Sequence, residues 1–258
     1  LLLGDPGKGI HVFNNSDESN PTDISFINIP GNYDMAIRDG KLYADSYVDL
    51  LVFDLVDPTN ITLVNRLEGT FPSYNNQFGA WTTGDDIIVD MEEGEEMEVS
   101  TSCAEASPGV LFVRSDMIAL EASSVDNSIG GPTIGTGGSM ARFAITGSYL
   151  YAVDDYQMHV FSLSSPENPV DVSLVDLGWG IETIFPYKNN LFIGSQSGMS
   201  VYNIDDPAQP YYMSEVTHIT TCDPVVANDT YAFVTLRSSD NNNNWCGNTF
   251  TNRLDVID

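Results

Sequence analysis

The chain has 258 residues, of which 42% are hydrophobic and 10% aromatic, and this composition excludes a disordered protein. Its 37 acidic and 9 basic residues give a formal net charge of −28 at pH 7. That charge argues against nucleic acid and anionic lipid as partners, because proteins bind both through Lys and Arg. No apolar run approaches the roughly 18 residues that a transmembrane helix requires. We interpret the charge as a solubility adaptation, with divalent cation binding or attraction of a basic partner as the alternatives.

A short apolar strand recurs along the chain at a regular spacing. Its copies begin at Leu1, Leu42, Leu150, Leu191 and Ala232. Three of the four intervals are 41 residues long, and the remaining one is 108. Each copy is followed by a second strand such as "LLVFD", a turn such as "DDPAQP" and a weaker third strand, and a lead-in strand such as "YDMAIRDG" precedes it.

This repeat predicts the fold class. Four short strands every 41 residues, separated by Gly, Pro, Asn and Asp, are typical of β-propeller blades, and helical periodicity is absent. One small sheet cannot bury both of its faces, so neighbouring sheets stack and cover each other. We therefore predict an all-β fold in which residues 1–258 form one propeller of about 41-residue, four-stranded blades. By strand count the chain holds three full and two partial blades, so we expect it to be a fragment of a propeller with six or seven.

The repeat pattern is interrupted by an acidic and Gly-rich insertion at about 72–139. The acidic part lacks the Asp/Asn alternation and the fixed glycine of a calcium loop, which favours a solvated strand or loop over a cation site. Long excursions from a rigid scaffold often carry partner contacts. The insertion therefore supplies our candidate partner-binding residues Asp85, Asp86, Asp90, Glu92, Glu93, Glu95 and Glu96.

Several stretches carry a resemblance to known proteins. The segments "LLVFDLVDPTNI", "HVFSLSSPENP", "VYNIDDPAQP" and "LDVID" look like the LVIVD repeat, which forms propellers in secreted bacterial proteins. Longer stretches at 4–12, 27–55, 137–143, 222–226 and 235–258 resemble uncharacterised surface lipoproteins of Bacteroidetes. The resemblance implies an exported protein that is anchored to the outer membrane and lies at the cell surface or in the periplasm. It names no catalytic residue.

The cysteine positions match that resemblance. Cys222 and Cys246 coincide with the "CDPVV…TLRS…C" pattern of the lipoproteins, which implies a disulfide between them in an exported protein. The alternative is two separate buried thiols. Cys103 would be left unpaired by the disulfide.

No arrangement of residues predicts catalysis. The three histidines are His11, His159 and His218; the first two share one position of the repeated second strand, which we interpret as outward-facing and tolerant of any residue. Motifs for nucleophilic, zinc or phosphate chemistry are missing. Propeller hydrolases place carboxylates and calcium on the central axis, and by that comparison Asp45 and Asp154, which follow first strands, are the candidates for a Ca²⁺ site.

Most aromatic residues alternate with the strand period and are predicted to pack between blades. Trp179 in "GWGIE" and Trp245 in an Asn-rich segment are the two that we expect to be exposed, as candidates for partner or glycan binding.

The sequence thus favours a non-enzymatic interaction scaffold, without a cofactor, whose partner is a protein or a glycan at the cell surface. One alternative is a calcium-dependent propeller hydrolase or lactonase. The other is an accessory subunit of an outer-membrane protein assembly.

Overall fold

Five antiparallel sheets, one for each sequence repeat, make up the described parts of the chain. The computed structural model describes residues 1–71, 141–217, 225–236 and 253–258. These residues belong to one compact unit, Leu1–Val89 with Gly135–Asp258, while the second unit, Asp90–Ile134, lies outside them. The described residues contain strands and turns and no helix, and hence no helix that could cross a membrane.

In every sheet the strands follow one another in chain order, each hydrogen-bonded to the next. The first sheet contains β1 (Leu2–Asp5), β2 (Gly9–Asn14) and β3 (Thr22–Asn28). The second contains β4 (Met35–Arg38), β5 (Lys41–Ser46), β6 (Asp49–Asp54) and β7 (Thr62–Leu67). The third contains β8 (Phe143–Thr146), β9 (Tyr149–Val153), β10 (Gln157–Ser162) and β11 (Val170–Asp176). The fourth contains β12 (Ile181–Tyr187), β13 (Asn190–Ser195), β14 (Gly198–Asn203) and β15 (Tyr211–Thr217). The fifth contains β16 (Val225–Ala227), β17 (Ala232–Leu236) and β18 (Arg253–Ile257).

This topology confirms the predicted all-β, propeller-like fold. The three complete sheets contain the lead-in, first, second and third strands in the order that the repeat indicated. The first sheet begins at a first strand, and the fifth ends at a second strand, so the chain holds three four-stranded and two three-stranded sheets among its described residues. The expected number of blades in the parent protein stays a prediction.

The hydrophobic core lies between successive sheets. The lead-in strand β8 lies against β4 and β12, and β12 lies against β16. One core cluster joins Tyr43 and Val52 of the second sheet to Phe143 and Phe161 of the third, and similar clusters join each other pair of neighbours. The third strands lie at the sheet edge opposite the lead-in strands, and every residue of β15 is exposed. Each sheet therefore buries its faces against its neighbours, as stacked blades do.

The outer strand of each of the first four sheets carries a β-bulge at the same repeat position. The residues that the bulges leave without a partner opposite them are Ile24, Val64, Val172 and Met213. A bulge increases the twist of an edge strand and interrupts its row of hydrogen-bonding groups, which hinders edge-to-edge pairing with another chain.

Proline-containing turns fasten the third and fourth sheets to the sheets before them. The Tyr43 hydroxyl donates to the Pro166 carbonyl over 2.9 Å, and the equivalent Tyr151 hydroxyl donates to the Pro207 carbonyl over 2.9 Å. Both tyrosines are fully buried, as the strand alternation predicted. The Lys41 ammonium adds an ion pair to Glu167 in the turn of the next sheet.

Candidate functional site

One edge of the sheets collects the connections that lead from blade to blade. We call it the connection end, and define it by residues 30–34, 46–48, 154–156 and 177–180. Four further strand ends lie at this same edge. Leu67 and Phe143 flank the insertion, and Leu236 and Arg253 flank the segment with Cys246 and Trp245. Several residues singled out from the sequence lie outside the described residues. They are the partner-binding candidates Asp85, Asp86, Asp90, Glu92, Glu93, Glu95, Glu96 and Trp245 and the cysteines Cys103, Cys222 and Cys246.

Asp45 and Asp34 are adjacent half-buried carboxylates at the connection end. One oxygen of Asp45, in β5, accepts hydrogen bonds from the Tyr33 and Asp34 amides over 2.8 and 2.9 Å and from the Asn32 side chain over 2.7 Å. Asp34 accepts from its neighbour Met35 through one oxygen. Its other oxygen accepts from the amides of Arg142 and Phe143, at the start of the lead-in strand of the next sheet. Each carboxylate therefore orders main chain, and Asp34 joins two sheets.

Burial shifts the titration of this pair toward neutral pH. It raises the pKa of Asp34 to about 6, although the accepted amide hydrogen bonds oppose the shift. It raises the pKa of Asp45 to about 7, and the nearby charge of Asp34 contributes in the same direction. Two neighbouring carboxyl groups in a partly dry site cannot both ionise easily, so at neutral pH the pair shares its charge.

Asp154, the other candidate metal ligand, has a separate set of partners. It is buried directly after β9, and one oxygen accepts from the Tyr156 and Gln157 amides over 2.8 and 2.7 Å, which closes an Asx turn. Asp45 belongs to the second sheet, and the amides bound to it directly precede the lead-in strand of that same sheet. Within the described ranges there is no group of three or more His, Cys, Asp or Glu side chains that could hold a metal ion. The predicted pairing of Asp45 and Asp154 around Ca²⁺ thus has no geometric support in the described residues.

The prediction that His159 faces outward is wrong. His159, in β10, is only 5% exposed, because the Phe71 ring from the preceding repeat packs edge-on against it, with 5.4 Å between the ring centroids. Its Nε2 lies 3.6 Å from an Asp154 oxygen and its Nδ1 lies 4.0 Å from an Asp171 oxygen. Neither ring nitrogen has a hydrogen-bond partner among the described residues. The equivalent His11 is partly exposed and contacts Phe26, and His218 lies outside the described residues. Nothing in the local sequence indicates that Phe71 covers one histidine and not the other.

Trp179 is exposed, as expected, and it stands on a fixed loop. Its side chain is 58% exposed between Gly178 and Gly180, which both have positive φ. The Gly180 and Ile181 amides donate to the Asp155 carbonyl over 3.0 and 3.1 Å. The neighbouring ion pair, in which an oxygen of the Asp155 carboxylate lies 3.0 Å from the Arg142 guanidinium, was not predicted from the sequence. No sequence signal could have indicated it, because the two residues meet only when the lead-in strand β8 aligns with the β9–β10 hairpin of its sheet.

A cavity of about 490 Å³ lies elsewhere, between the first and second sheets. Val12, Phe13, Leu55 and Pro58 line it together with Leu1, Leu2, Ile24 and polar residues 14–16, and none of these side chains is acidic or basic. The described side chains that line it therefore offer no acid, base or charged ligand for chemistry.

No protein-family model and no curated protein matches the sequence. Similar solved structures include a crystal structure of a protein from Lactobacillus plantarum, with a TM-score of 0.52 and 11% identity over 100% of this chain and 66% of that one. A second is an S. cerevisiae structure of dbp5 bound to nup159, gle1, ip6 and ADP, with a TM-score of 0.46 and 7% identity over 98% of this chain and 53% of that one. The chain thus spans just under two thirds of the first structure. At this identity the similarity concerns the fold alone, and it agrees with the propeller-like arrangement of the sheets. The resemblance to LVIVD repeats and to lipoproteins stays a prediction.

Proposed function

We propose that this chain is a non-enzymatic interaction scaffold that binds its partner through the connection end. The observation that carries the proposal is the exposed Trp179 on a loop that hydrogen bonds hold in place. A large apolar side chain on a rigid support binds at a low cost in conformational entropy. The neighbouring Tyr156 is also exposed, at 40%.

Asp34 and Asp154, at the connection end, support a binding role over a catalytic one. A general acid or base must reach the substrate with an oxygen that is not already engaged. Asp34 uses both of its oxygens on backbone amides, and one oxygen of Asp154 accepts two such amides. These side chains are occupied in holding the main chain.

A pull-down from the native membrane of the organism tests the proposal. The full-length protein should retain a partner in stoichiometric amount, and the double variant Trp179→Ala, Tyr156→Ala should lose it. Val56→Ala is the matched control, since Val56 is an exposed apolar residue at the opposite end of the sheets. Equal retention by all three proteins would contradict binding at the connection end.

One observation favours the calcium-dependent hydrolase or lactonase as the second candidate. Asp34 and Asp45 are adjacent, and their pKa values of about 6 and 7 lie in the range that suits acid–base catalysis. This candidate predicts stoichiometric calcium by elemental analysis and a hydrolytic activity that Asp45→Asn abolishes. A calcium-free protein that hydrolyses neither esters nor lactones would exclude it.

Export, lipid anchoring and membership of an outer-membrane assembly are proposed from the lipoprotein resemblance. They predict that the full-length protein takes up a labelled fatty acid and fractionates with the outer membrane. A protein recovered unlabelled from the cytoplasm would contradict the proposed localisation.

A further inference from the structure

We propose that the Trp179 loop and the Asp155–Arg142 ion pair form a binding site for an uncharged glycan. This inference rests on the proposed function and specifies its ligand class. We call the group of Trp179, Tyr156, Asp155 and Arg142 the Trp179 site.

The loop fixes the position of the indole. The Leu177 amide donates to the Tyr156 carbonyl over 2.8 Å, so the chain is paired with the 154–156 turn on both sides of Trp179. The Gln196 amide donates to the Gly180 carbonyl over 2.9 Å, which attaches the loop to the next hairpin. A Cβ at Gly180 would lie 3.3 Å from the Gln196 side chain, so glycine allows this close approach as well as the positive φ. The indole is therefore presented before any ligand arrives.

The polar groups of the site suit sugar hydroxyls. The Asp155 carboxylate is about half exposed and the Arg142 guanidinium about one third exposed, so both keep hydrogen-bonding capacity beyond their mutual contact. A carboxylate can accept two hydrogen bonds side by side and a guanidinium can donate two, so each can bind adjacent hydroxyl groups of a sugar ring. The indole offers a flat apolar surface to the C–H face of the same ring, as aromatic side chains do for other apolar partners.

Charge and size select the ligand class. The basic side chains at this edge of the described sheets are Lys8, Arg66, Arg142 and Arg253, and each lies beside an aspartate that balances its charge, so the site has no excess positive charge to attract a sulfate or carboxylate group. The net charge of −28 repels a polyanion further. A stable protein interface buries about 800 Å² on each partner around an apolar centre. One indole and one phenol suit a few sugar rings better than such an interface.

Affinity electrophoresis of the full-length protein tests the inference. The gels contain a soluble β-glucan, a xylan, an α-mannan or starch, and each variant is compared with the wild type. At least one of these neutral polysaccharides should retard the wild type. Trp179→Ala should weaken the retardation about tenfold, which corresponds to ~1.4 kcal/mol. Trp179→Phe should keep part of the affinity, and Asp155→Asn should weaken it about threefold.

Tyr211→Ala is the matched control, because Tyr211 is a similarly exposed aromatic residue, at 53%, on the outer strand β15. It should leave the retardation unchanged. Retardation that Trp179→Ala does not reduce, or the absence of retardation by all four polysaccharides, would overturn the inference. If polysaccharide binding is absent but Trp179→Ala still removes a protein partner in the pull-down, the glycan inference fails while the proposed scaffold function stands.

Discussion

Asp45 accepts three hydrogen bonds through one oxygen, and its pKa is nevertheless raised to about 7. Accepted hydrogen bonds stabilise the ionised form, but burial and the neighbouring Asp34 carboxylate outweigh them. The pair therefore holds protons in the folded protein that the unfolded chain releases near pH 3.8. Stability from this source is present at low pH and is lost as the pH rises toward 7.

Replacing Asp45 with Asn should flatten this part of the pH profile. In the wild type we expect the free energy of unfolding to fall between pH 5 and pH 8, with ~1–2 kcal/mol assigned to Asp45 after allowance for its partial exposure. Asn keeps an acceptor oxygen but cannot ionise, so urea unfolding of Asp45→Asn at the two pH values should show a smaller difference.

The control for this measurement is Asp57→Asn. Asp57 is exposed, and its hydrogen bonds from Thr59 lower its pKa, so it is ionised throughout this pH range in both states. Its substitution should leave the difference between pH 5 and pH 8 unchanged. An Asp45→Asn profile as steep as that of the wild type would assign the slope to the general negative charge of the chain.

Tyr151 shows how one buried hydroxyl contributes to the stacking of sheets. The Tyr151 ring is fully buried, and its hydroxyl donates a hydrogen bond to the Pro207 carbonyl across the largely apolar interface between the third and fourth sheets. Tyr151→Phe should lower the free energy of unfolding by ~1–2 kcal/mol, because the Pro207 carbonyl loses its donor while the packing is retained. Chemical denaturation measures the loss, with Tyr156→Phe as the exposed control, and equal stability of the two variants would contradict a role for this bond.

Glycines at the start of two second strands allow close strand pairing. Gly9 opens β2 and Gly198 opens β14, and both have large positive φ values of 146° and 156°. A Cβ at Gly198 would lie 2.2 Å from the Val216 carbonyl oxygen of β15, which is closer than any real Cβ contact. The other three sheets place Asp49, Gln157 and Arg253 at this repeat position, so the requirement belongs to the individual hairpin and not to the repeat.

Gly198→Ala should therefore be much more destabilising than a glycine substitution in an open turn. We expect a loss of ~3 kcal/mol or more, because β14 and β15 must separate locally to admit the methyl group. Gly147→Ala is the control: Gly147 also has a positive φ, of 58°, but nothing lies within 4 Å of its added Cβ, so only ~1 kcal/mol of backbone strain is expected. Thermal unfolding of both variants checks the ranking, and equal losses would show that strand spacing adapts freely.

Taken over all its sheets, the protein carries a large excess of negative charge on a propeller-like fold. At 0.1 M salt, repulsion between exposed charges that lie more than about 10 Å apart is largely screened. We therefore expect Tm to rise between 20 mM and 1 M NaCl, by about 2–4 °C for each kcal/mol of repulsion removed.

Calcium chloride at matched ionic strength separates screening from binding. A further rise in Tm beyond that in NaCl would indicate a specific cation site, since a ligand that binds only the folded state stabilises it by mass action. Equal Tm values in the two salts would support the interpretation of the charge as a solubility adaptation. A Tm that falls with NaCl would contradict a net repulsion.

Much of the fold could be read from local patterns. The strand order within each sheet, the Asx turn at Asp57 and the burial of Tyr43 and Tyr151 all follow from the 41-residue repeat and its alternation, because strands and tight turns depend on neighbouring residues. The exposure of Trp179 between two glycines could be predicted for the same reason.

Contacts between sheets could be decided only by packing. The Asp34 carboxylate caps a strand that begins 109 residues later, and Phe71 covers His159 but leaves the equivalent His11 partly exposed. A repeat specifies how far each strand extends and which of its faces is apolar, yet the partner across an interface depends on side chains from another blade. For that reason the repeats alone indicated propeller blades, whereas the contacts of Asp34 with Arg142 and Phe143 and of Phe71 with His159 became visible only once neighbouring sheets were stacked.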